Sequence, residues 1–315
     1  MPKERSPRRR TAALSVAAVA VLGGAALTAR AGVVGAADRT AAVAPAGGTS
    51  APPPARTSPT ASAAAPPGSA SAPAPTGDPA VFTGLAFDTC TAPAPSAMKA
   101  WHGTSPYGAA AVYIGGRNRG CAQPQLTPSW VASVTATGWR LIPLYVGAQP
   151  PCRSGSDPEK LTAGTAVDLG SADGADAVAA AGALGMRPGS TLYLDVESYD
   201  AADTACAAAV LAYTRSFDRA VEARGYRPGF YGFAASSAAG IARAAADGTP
   251  DLPTALWYAE YDGVEDTVTG FPFAAGLFTG HRRGHQYRVD RRETHGGVTL
   301  TVDRNAWDAP VAVVG

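Results

Sequence analysis

From about residue 79 onward, short apolar runs alternate with segments whose apolar residues recur at helical spacing. The short runs, at 85–88, 111–114, 141–146, 192–196, 230–233 and 255–261, have the length and composition of buried β-strands. Between them, helices are predicted at 96–101, from 128, at 175–184, 207–224 and 237–246. Two more strands are predicted at 286–288 and 300–302, preceded by connectors rich in Gly, Pro and charge. The pattern predicts five βα units followed by three strands.

Local signals support these boundaries and indicate the fold. Thr127 followed by Pro128 is typical of a helix N-cap and first turn, and Gly225 is typical of a helix stop. Alternating β and α elements imply a parallel sheet with right-handed crossovers. Eight such strands can close into an irregular TIM-like α/β barrel. An open doubly wound sheet is the alternative, although no Gly-x-Gly-x-x-Gly follows the first strand.

Residues 1–31 have the features of an export signal. Arg8, Arg9 and Arg10 precede an alanine-rich apolar run, and Ala29-Arg30-Ala31 fits a small-x-small cleavage site. The arginines suit a twin-arginine signal without its full consensus, so the Sec route stays open. An uncleaved anchor is disfavoured because the run is short of about 20 strongly apolar residues. We therefore expect no stable membrane span after cleavage.

Composition divides the rest of the chain into two parts. Residues 32–78 are rich in Ala, Pro, Ser, Thr and Gly and hold few large apolar residues, which predicts a disordered linker. Residues 79–315 are predicted to form one domain. Residues 1–77 hold eight Lys and Arg against two Asp and Glu, leaving 18 against 23 for the remainder. This mildly acidic balance argues against nucleic-acid binding, and we expect a monomer.

The four cysteines all lie in the predicted domain. An even number in an exported chain indicates two disulfides, for which three pairings exist. Each cysteine follows a predicted strand, so all four are expected at one rim. We favour Cys90–Cys121 with Cys152–Cys206. A zinc site is less consistent with the sequence because there is no Cys-x-x-Cys pair.

Carboxylates occur where three predicted strands end. Asp195 and Glu197 follow the apolar run Thr191-Leu192-Tyr193-Leu194 and point to the same face, with Cβ atoms roughly 6–7 Å apart. Asp88 ends the first strand and Asp303 the eighth. In an α/β barrel such ends share one mouth, and paired carboxylates there can serve as acid and base. The alternative is a solvated strand end or loop cap.

Aromatic and amide groups on neighbouring strands are predicted to line this mouth. Aromatic faces stack on sugar rings, while amides and carboxylates hold hydroxyl groups, so the mouth suits a carbohydrate. His281 and His285 are four residues apart, but Gly284 intervenes and no helix is expected, so we predict no metal site. The predicted substrate-binding residues are Tyr145, Tyr231, Trp257, Gln286, Tyr287 and Asn305.

These motifs carry a resemblance to known families. Phe87-Asp88, Tyr193-x-Asp195-x-Glu197, Gln286-Tyr287 and Val302-Asp303-x-Asn305 resemble the family 25 glycoside hydrolases, which are lysozyme-type muramidases with a five-βα, three-β barrel. Segments such as Tyr113-Ile114-Gly115-Gly116 and 138–147 resemble more closely the actinobacterial glycoside hydrolase-like family called domain of unknown function 1906. The resemblance covers nearly everything after residue 80.

The resemblance implies roles for the four acids. Glu197 would be the general acid, and Asp195 would orient the N-acetyl group of the substrate or stabilise an oxocarbenium-like state. Asp88 and Asp303 would tune Glu197 and bind substrate or water. The expected substrate is peptidoglycan or a related amino-sugar polymer, without a cofactor, in the cell envelope or outside the cell. The alternative is a catalytically silent glycan-binding module on the same barrel.

Overall fold

The computed structural model describes residues 79–315. The predicted signal peptide (1–31) and linker (32–78) lie outside the described residues. The strands are β1 (Val81–Asp88), β2 (Tyr107–Gly115), β3 (Arg140–Val146), β4 (Thr191–Val196), β5 (Arg227–Phe233), β6 (Ala255–Ala259), β7 (Arg283–His295) and β8 (Val298–Pro310). The helices are α1 (Pro95–Trp101), α2 (Pro128–Ala136), α3 (Ala166–Ala183), α4 (Thr204–Glu222) and α5 (Ser237–Ala246).

The eight strands form a closed barrel in sequence order, with one helix after each of the first five. The predicted TIM-like architecture is therefore confirmed. The predicted N-cap is also confirmed, since Thr127 accepts a hydrogen bond from the backbone N–H of Trp130. No helix in the described part of the chain is both long and apolar enough to cross a membrane.

The end of the barrel departs from the predicted parallel sheet. β8 runs antiparallel to both β7 and β1, and β7 and β8 have 13 residues each where short strands were predicted. Residues 289–297, predicted as part of a connector, belong mostly to this hairpin. Its two-residue turn is Gly296-Gly297, both with positive φ as a tight hairpin turn requires. The strands were predicted too short because the charged residues at 288–293 lack the apolar alternation that marks a strand.

Strand alternation separates two apolar layers. On β4, Leu192, Leu194 and Val196 pack outward in the layer beneath the helices, whereas Tyr193 packs inside the barrel. Inside, Tyr193 meets Trp257 and Trp307 in edge-to-face contacts, with ring centroids 6.2 and 5.3 Å away. These rings fill the lower barrel, so polar side chains have room only toward the carboxyl ends of the parallel strands.

The two disulfides have the favoured pairing. Cys90–Cys121 joins the segment after β1 to the one after β2, with Cα atoms 5.7 Å apart. Cys152–Cys206 joins the segment after β3 to the start of α4, with Cα atoms 5.9 Å apart. All four cysteines follow the carboxyl ends of strands, so both links brace the same end of the barrel.

Candidate active site

Three strands bring the four predicted acids to one end of the barrel. Asp88 is the last residue of β1, and Asp195 lies on the interior face of β4 with Glu197 just beyond the strand. Asp303 pairs with Asp88 in the antiparallel register of β1 and β8. The sequence predicted that β8 ends at Asp303, whereas in the structure β8 continues to Pro310. Because β8 runs antiparallel, it enters the barrel at the mouth, and Asp303 is still delivered there.

Asp88 is a buried carboxyl held by three donors. Its Oδ2 accepts hydrogen bonds from the side-chain amides of Gln286 (3.0 Å) and Asn305 (2.8 Å), and its Oδ1 faces the Tyr113 hydroxyl at 3.5 Å. Burial, and secondarily the charge of Asp303, raises the pKa of Asp88 to about 7, while the three hydrogen bonds oppose this rise. Asp88 therefore exchanges its proton near neutral pH.

Asp195 is buried as well, with 4 % of its surface exposed. Its Oδ1 has no hydrogen-bond partner among the described residues. Burial raises the pKa of Asp195 well above its usual range, and the charges of Glu197 and Asp88 add to this, whereas Arg153 opposes it. An unpaired buried oxygen is costly, so this atom is suited to bond a ligand.

Glu197 is the accessible carboxyl beside Asp195, with 34 % of its side chain exposed. Its backbone N–H donates to Gln149 Oε1 at 2.9 Å, and Gln149 Nε2 donates to the Asp195 carbonyl at 3.1 Å. Burial raises the pKa of Glu197, while Arg153, with its Nη2 3.8 Å from Glu197 Oε2, lowers it. Glu197 thus combines access from the mouth with a raised pKa and a fixed backbone.

The segment after β3 forms one wall of the site. Arg153 also pairs with Asp157, the Cys152–Cys206 disulfide fixes this segment to α4, and Asn118 Nδ2 donates to the Gly147 carbonyl at 2.8 Å. A cavity of about 270 Å³ lies between this wall and the first disulfide. It is lined by Cys90, Tyr113, Asn118, Gly120, Cys121, Val146, Gln149, Arg153, Asp157, Asp195 and Glu197.

Four of the predicted substrate-binding residues lie inside the barrel, under the acids. The Tyr231 hydroxyl donates to Gln286 Oε1 at 2.9 Å, and Trp257 Nε1 donates to Asn305 Oδ1 at 2.8 Å. All four side chains are nearly inaccessible, and the two amides donate in turn to Asp88. This arrangement positions Asp88, so contact with substrate is not the role that these residues support.

Tyr145 and Tyr287 do not join the site. Tyr145 faces outward from β3, where its hydroxyl donates to Asp176 of α3 at 2.8 Å. Tyr287 follows the interior Gln286 on β7, and its hydroxyl donates to Glu265 at 2.7 Å. Alternation along each strand explains the error, since neighbours of interior residues point to the opposite face. The predicted mouth contacts of these two tyrosines are corrected accordingly.

Asp303 and the histidines have defined surroundings. Asp303 Oδ1 accepts the backbone N–H of Asp290 at 2.7 Å, and burial raises the pKa of Asp303. His285 is buried, with its ring nitrogens 2.8 and 2.9 Å from the carbonyl oxygens of Asp266 and Glu260. Within residues 79–315, no group of three or more His, Cys, Asp and Glu side chains is arranged to hold a metal ion.

Three contributors to the site were not selected from the sequence. Tyr113 follows Ala109 and Ala111 at strand spacing, so alternation along β2 signals its interior position. Gln149 and Arg153 lie in a loop without periodic pattern, and nothing in the sequence indicates that they reach β4. Their contacts depend on how the loop returns across the barrel mouth.

Comparison with known proteins identifies the family. The sequence profile of the Rv2525c-like, glycoside hydrolase-like domain matches residues 99–307. No curated protein is significantly similar to this chain. An uncharacterized protein of B. stearothermophilus has 16 % identity and a TM-score of 0.46, covering 71 % of this chain and 95 % of its own. The Clostridium perfringens spore cortex lytic enzyme SleM has 13 % identity and a TM-score of 0.43, and the match covers 72 % of this chain and 67 % of that enzyme. Since the profile spans more than half of the sequence, the chain belongs to the Rv2525c-like family of glycoside hydrolase-like domains.

Proposed function

We propose that this protein is an exported glycosidase that hydrolyses peptidoglycan or a related amino-sugar polymer, with Glu197 as the general acid. The observation that carries the proposal is the pair formed by Glu197 and Asp195 on one cavity wall, one accessible and one buried, both with a raised pKa. Two carboxyls in different environments are the arrangement that glycosidic bond cleavage uses.

The first step is a proton transfer from Glu197. Protonated Glu197 gives its proton to the glycosidic oxygen as the bond from that oxygen to the anomeric carbon breaks. The partial burial that raises the pKa of Glu197 keeps more of it protonated at neutral pH. Gln149 accepts the backbone N–H of Glu197, which limits the movement of the strand end that carries the acid.

Asp195 is suited to the acetamido group of an amino sugar. Its unpaired Oδ1 can accept the acetamido N–H, which orients the acetamido oxygen toward the anomeric carbon. The acetamido oxygen then bonds to the anomeric carbon as the glycosidic oxygen leaves, which closes an oxazolinium ring. In the second step water attacks the anomeric carbon, the bond to the acetamido oxygen breaks, and the water loses its proton to the Glu197 carboxylate. In the other route open to the same residues, Asp195 stabilises the oxocarbenium-like state, and water then adds to the anomeric carbon and loses its proton to the Glu197 carboxylate.

Export is supported by the sequence pattern of residues 1–31 and by two disulfides, which persist in oxidising compartments. The twin-arginine route and cleavage after residue 31 are part of this proposal. The proposed partner is the glycan of the cell envelope, and residues 32–78 would act as the linker to the domain.

One observation favours a binding module without turnover. Arg153 faces Glu197 at 3.8 Å, and a guanidinium favours the ionised form of a carboxyl over the protonated form that an acid catalyst needs. In that case the same cavity would hold glycan without cleaving it. The two functions differ in whether the wild-type protein releases product, and both predict that Glu197→Gln is retained on the glycan.

The test compares wild type, Glu197→Gln and Glu222→Gln on purified sacculi, measuring reducing-end release and protein retained on the glycan. Glu222 is a half-buried acid on α4, away from the mouth, and serves as the control. We expect Glu197→Gln to lower turnover about 10²–10⁴-fold, the usual contribution of acid catalysis, with retention unchanged.

Each other outcome has a clear meaning. Retention of all three proteins without product from any of them would support the binding module. Neither product nor retention with any protein would contradict both functions. An equal loss of turnover in Glu197→Gln and Glu222→Gln would contradict the assignment of Glu197 as the general acid.

A further inference from the structure

A second groove, separate from the acid-lined cavity, lies beside the barrel mouth. It has a volume of about 400 Å³ and is lined by Tyr261, Asp262, Gly263, Arg288, Val289 and Arg291, which we call the arginine groove. Within the described residues, neither Arg288 nor Arg291 has an ion pair or a side-chain hydrogen bond. Two guanidinium groups without counter-ions in one concave surface are suited to bind anions.

An irregularity in β7 brings the two arginines together. In a regular strand, side chains three residues apart point to opposite faces. Here the register with β8 shifts between Gln286 and Arg288 and again between Arg288 and Arg291. Asp290, within the second shift, has a φ of 55°, and its N–H donates to Asp303 at the mouth. The bulges therefore turn Arg288 and Arg291 into one groove, and Asp303 fixes the second bulge.

Close packing holds Arg288 against the loop after β6. A Cβ atom on Gly263 would lie 2.8 Å from Arg288 Nη2, which is the flexible end of that side chain, and the φ of 79° at Gly263 itself favours glycine. The Gly263 N–H donates to the Tyr287 carbonyl at 3.2 Å, which ties the loop to β7. The Arg288 guanidinium therefore lies close to the loop after β6, and that loop is hydrogen-bonded to β7.

Tyr261 connects the arginine groove to the acids. Its side chain is an exposed aromatic group, with 50 % of the residue accessible. It packs against Phe233 with ring centroids 6.2 Å apart, and Phe233 in turn packs against Tyr231 with ring centroids 6.3 Å apart. A sugar ring stacked on Tyr261 would therefore lie between the acid-lined mouth and the two arginines.

The groove also contains one acid. Asp262 Oδ1 accepts the Val264 N–H at 2.8 Å and lies 3.5 Å from Nε2 of the buried His285. Its charge is partly engaged by these contacts, whereas the guanidinium groups of Arg288 and Arg291 are not. The balance of free charge in the groove is therefore positive, next to a mouth that holds Asp88, Asp195, Glu197 and Asp303.

From these observations we infer that the arginine groove is a subsite for a carboxylate carried by the glycan, such as that of a peptide substituent, with Tyr261 stacking on the adjoining sugar. The inference rests on the proposed function and narrows its substrate class to anionic amino-sugar polymers. A neutral polymer of the same length would use only the central cavity and Tyr261.

The test measures binding by titration calorimetry in the Glu197→Gln background, which prevents hydrolysis. The probes are a peptidoglycan tetrasaccharide with free peptide carboxylates and the same molecule after amidation of those carboxylates. We expect the free acid to bind about tenfold more tightly at low salt, since two charged contacts distinguish the probes. The preference should shrink toward 1 M salt, where charges are screened within about 3 Å.

Substitution assigns the preference to the groove. Arg288→Gln with Arg291→Gln should abolish the preference and leave the affinity for the amidated probe unchanged. Arg292→Gln is the matched control, because Arg292 is an exposed arginine of the same hairpin that does not line the groove, and it should retain the preference. Equal affinity of the parent protein for both probes would overturn the inference, as would a preference that survives the double substitution. Failure of the proposed function is distinct: absence of turnover on sacculi with the preference intact would contradict only the hydrolase. A parent protein that binds neither probe would contradict peptidoglycan as the ligand and this inference with it.

Discussion

At the scale of single residues, Asp88 illustrates how surroundings determine the chemistry of a side chain. It faces Asp303 across an antiparallel pair, an arrangement in which like charges are destabilising. Three donors partly offset its burial, and its pKa of about 7 records the remaining cost of ionisation. The ionisation of Asp88 therefore affects the free energy of unfolding, and Asp88 is also a candidate contributor to the site.

We expect Asp88→Asn to change how stability depends on pH. The folded pKa of about 7 exceeds the usual 3.8, so between these values the folded state binds more protons than the unfolded state. The wild-type free energy of unfolding consequently loses this contribution as the pH rises from about 4 to 7, by on the order of 4 kcal/mol. Asparagine has no charge to bury and can still accept the bonds from Gln286 and Asn305.

Urea unfolding at several pH values checks this expectation. Relative to wild type, Asp88→Asn should gain stability steadily as the pH rises from 4 to 7. Asp247→Asn, at an exposed position after α5, should run parallel to wild type over the whole range. Parallel curves for Asp88→Asn and wild type would mean that Asp88 is ionised without difficulty in the folded state.

Strand alternation also separates correct from wrong residue predictions. It correctly placed Asp195 and Glu197 on one face, because both lie within or directly after a regular strand. The same rule, applied along β3 and β7, would have excluded Tyr145 and Tyr287. Residue type alone had suggested them, and side-chain direction decided against them.

At the scale of elements, the two disulfides hold different parts of the mouth. Cys152–Cys206 anchors the loop that carries Gln149 and Arg153, both of which contact the end of β4. Cys90–Cys121 braces the opposite wall of the cavity. Similar links can therefore have different consequences for Glu197.

We expect Cys152→Ser with Cys206→Ser, and Cys90→Ser with Cys121→Ser, to cost similar stability. The closed loops span 54 and 31 residues, and loop-closure entropy assigns about 4 kcal/mol to each, with a difference of about half a kcal/mol. Denaturant unfolding measures this cost. Activity should differ, because only the first pair frees Arg153 from the vicinity of Glu197.

The pH profile of kcat/KM distinguishes the two pairs. Arg153 lowers the pKa of Glu197, so its release should raise that pKa and move the alkaline limb of the profile to higher pH. The Cys90 and Cys121 variant should keep the wild-type limb. Identical limbs in both variants would contradict the assigned role of the loop after β3.

The β7–β8 hairpin is the element that the sequence described least well. Its strands are long, polar and charged beyond the barrel, so they lack the apolar run that marked the other strands. Pairing with each other, and with β1 and β6 inside the barrel, stabilises them instead. The arginine groove arises from the bulges in this pairing.

At the scale of the molecule, residues 79–315 contain every partner that the barrel strands need. β1 begins at Val81 and is paired on both edges, with β2 and with β8, so the sheet closes within this range. Beyond the barrel, residues 291–295 and 298–302 pair only with each other among the described residues, so the expected monomer stays a prediction. The acids, the cavity and both disulfides lie in the same range.

We expect a fragment of residues 79–315 to fold independently. Its melting temperature should match that of residues 32–315 within about 2 °C, because all hydrogen-bonded barrel edges and both disulfides are retained. Calorimetry of the two oxidised proteins measures this, and light scattering reports their mass. A large loss of stability in the fragment would place the domain boundary earlier than residue 79.

The sequence by itself determined the order of five βα units and three strands, the helix start at Thr127 and the direction of Asp195 and Glu197. These features depend on local periodicity and on neighbours along the chain. The Gly296-Gly297 pair is a local signal for the β7–β8 hairpin. Tertiary structure alone decided that β8 closes the barrel against β1, that Gln149 and Arg153 reach the end of β4, and that Arg288 and Arg291 share a groove. Those features depend on strand register and loop return between residues distant in sequence, where the energy comes from pairing and packing that no local pattern encodes.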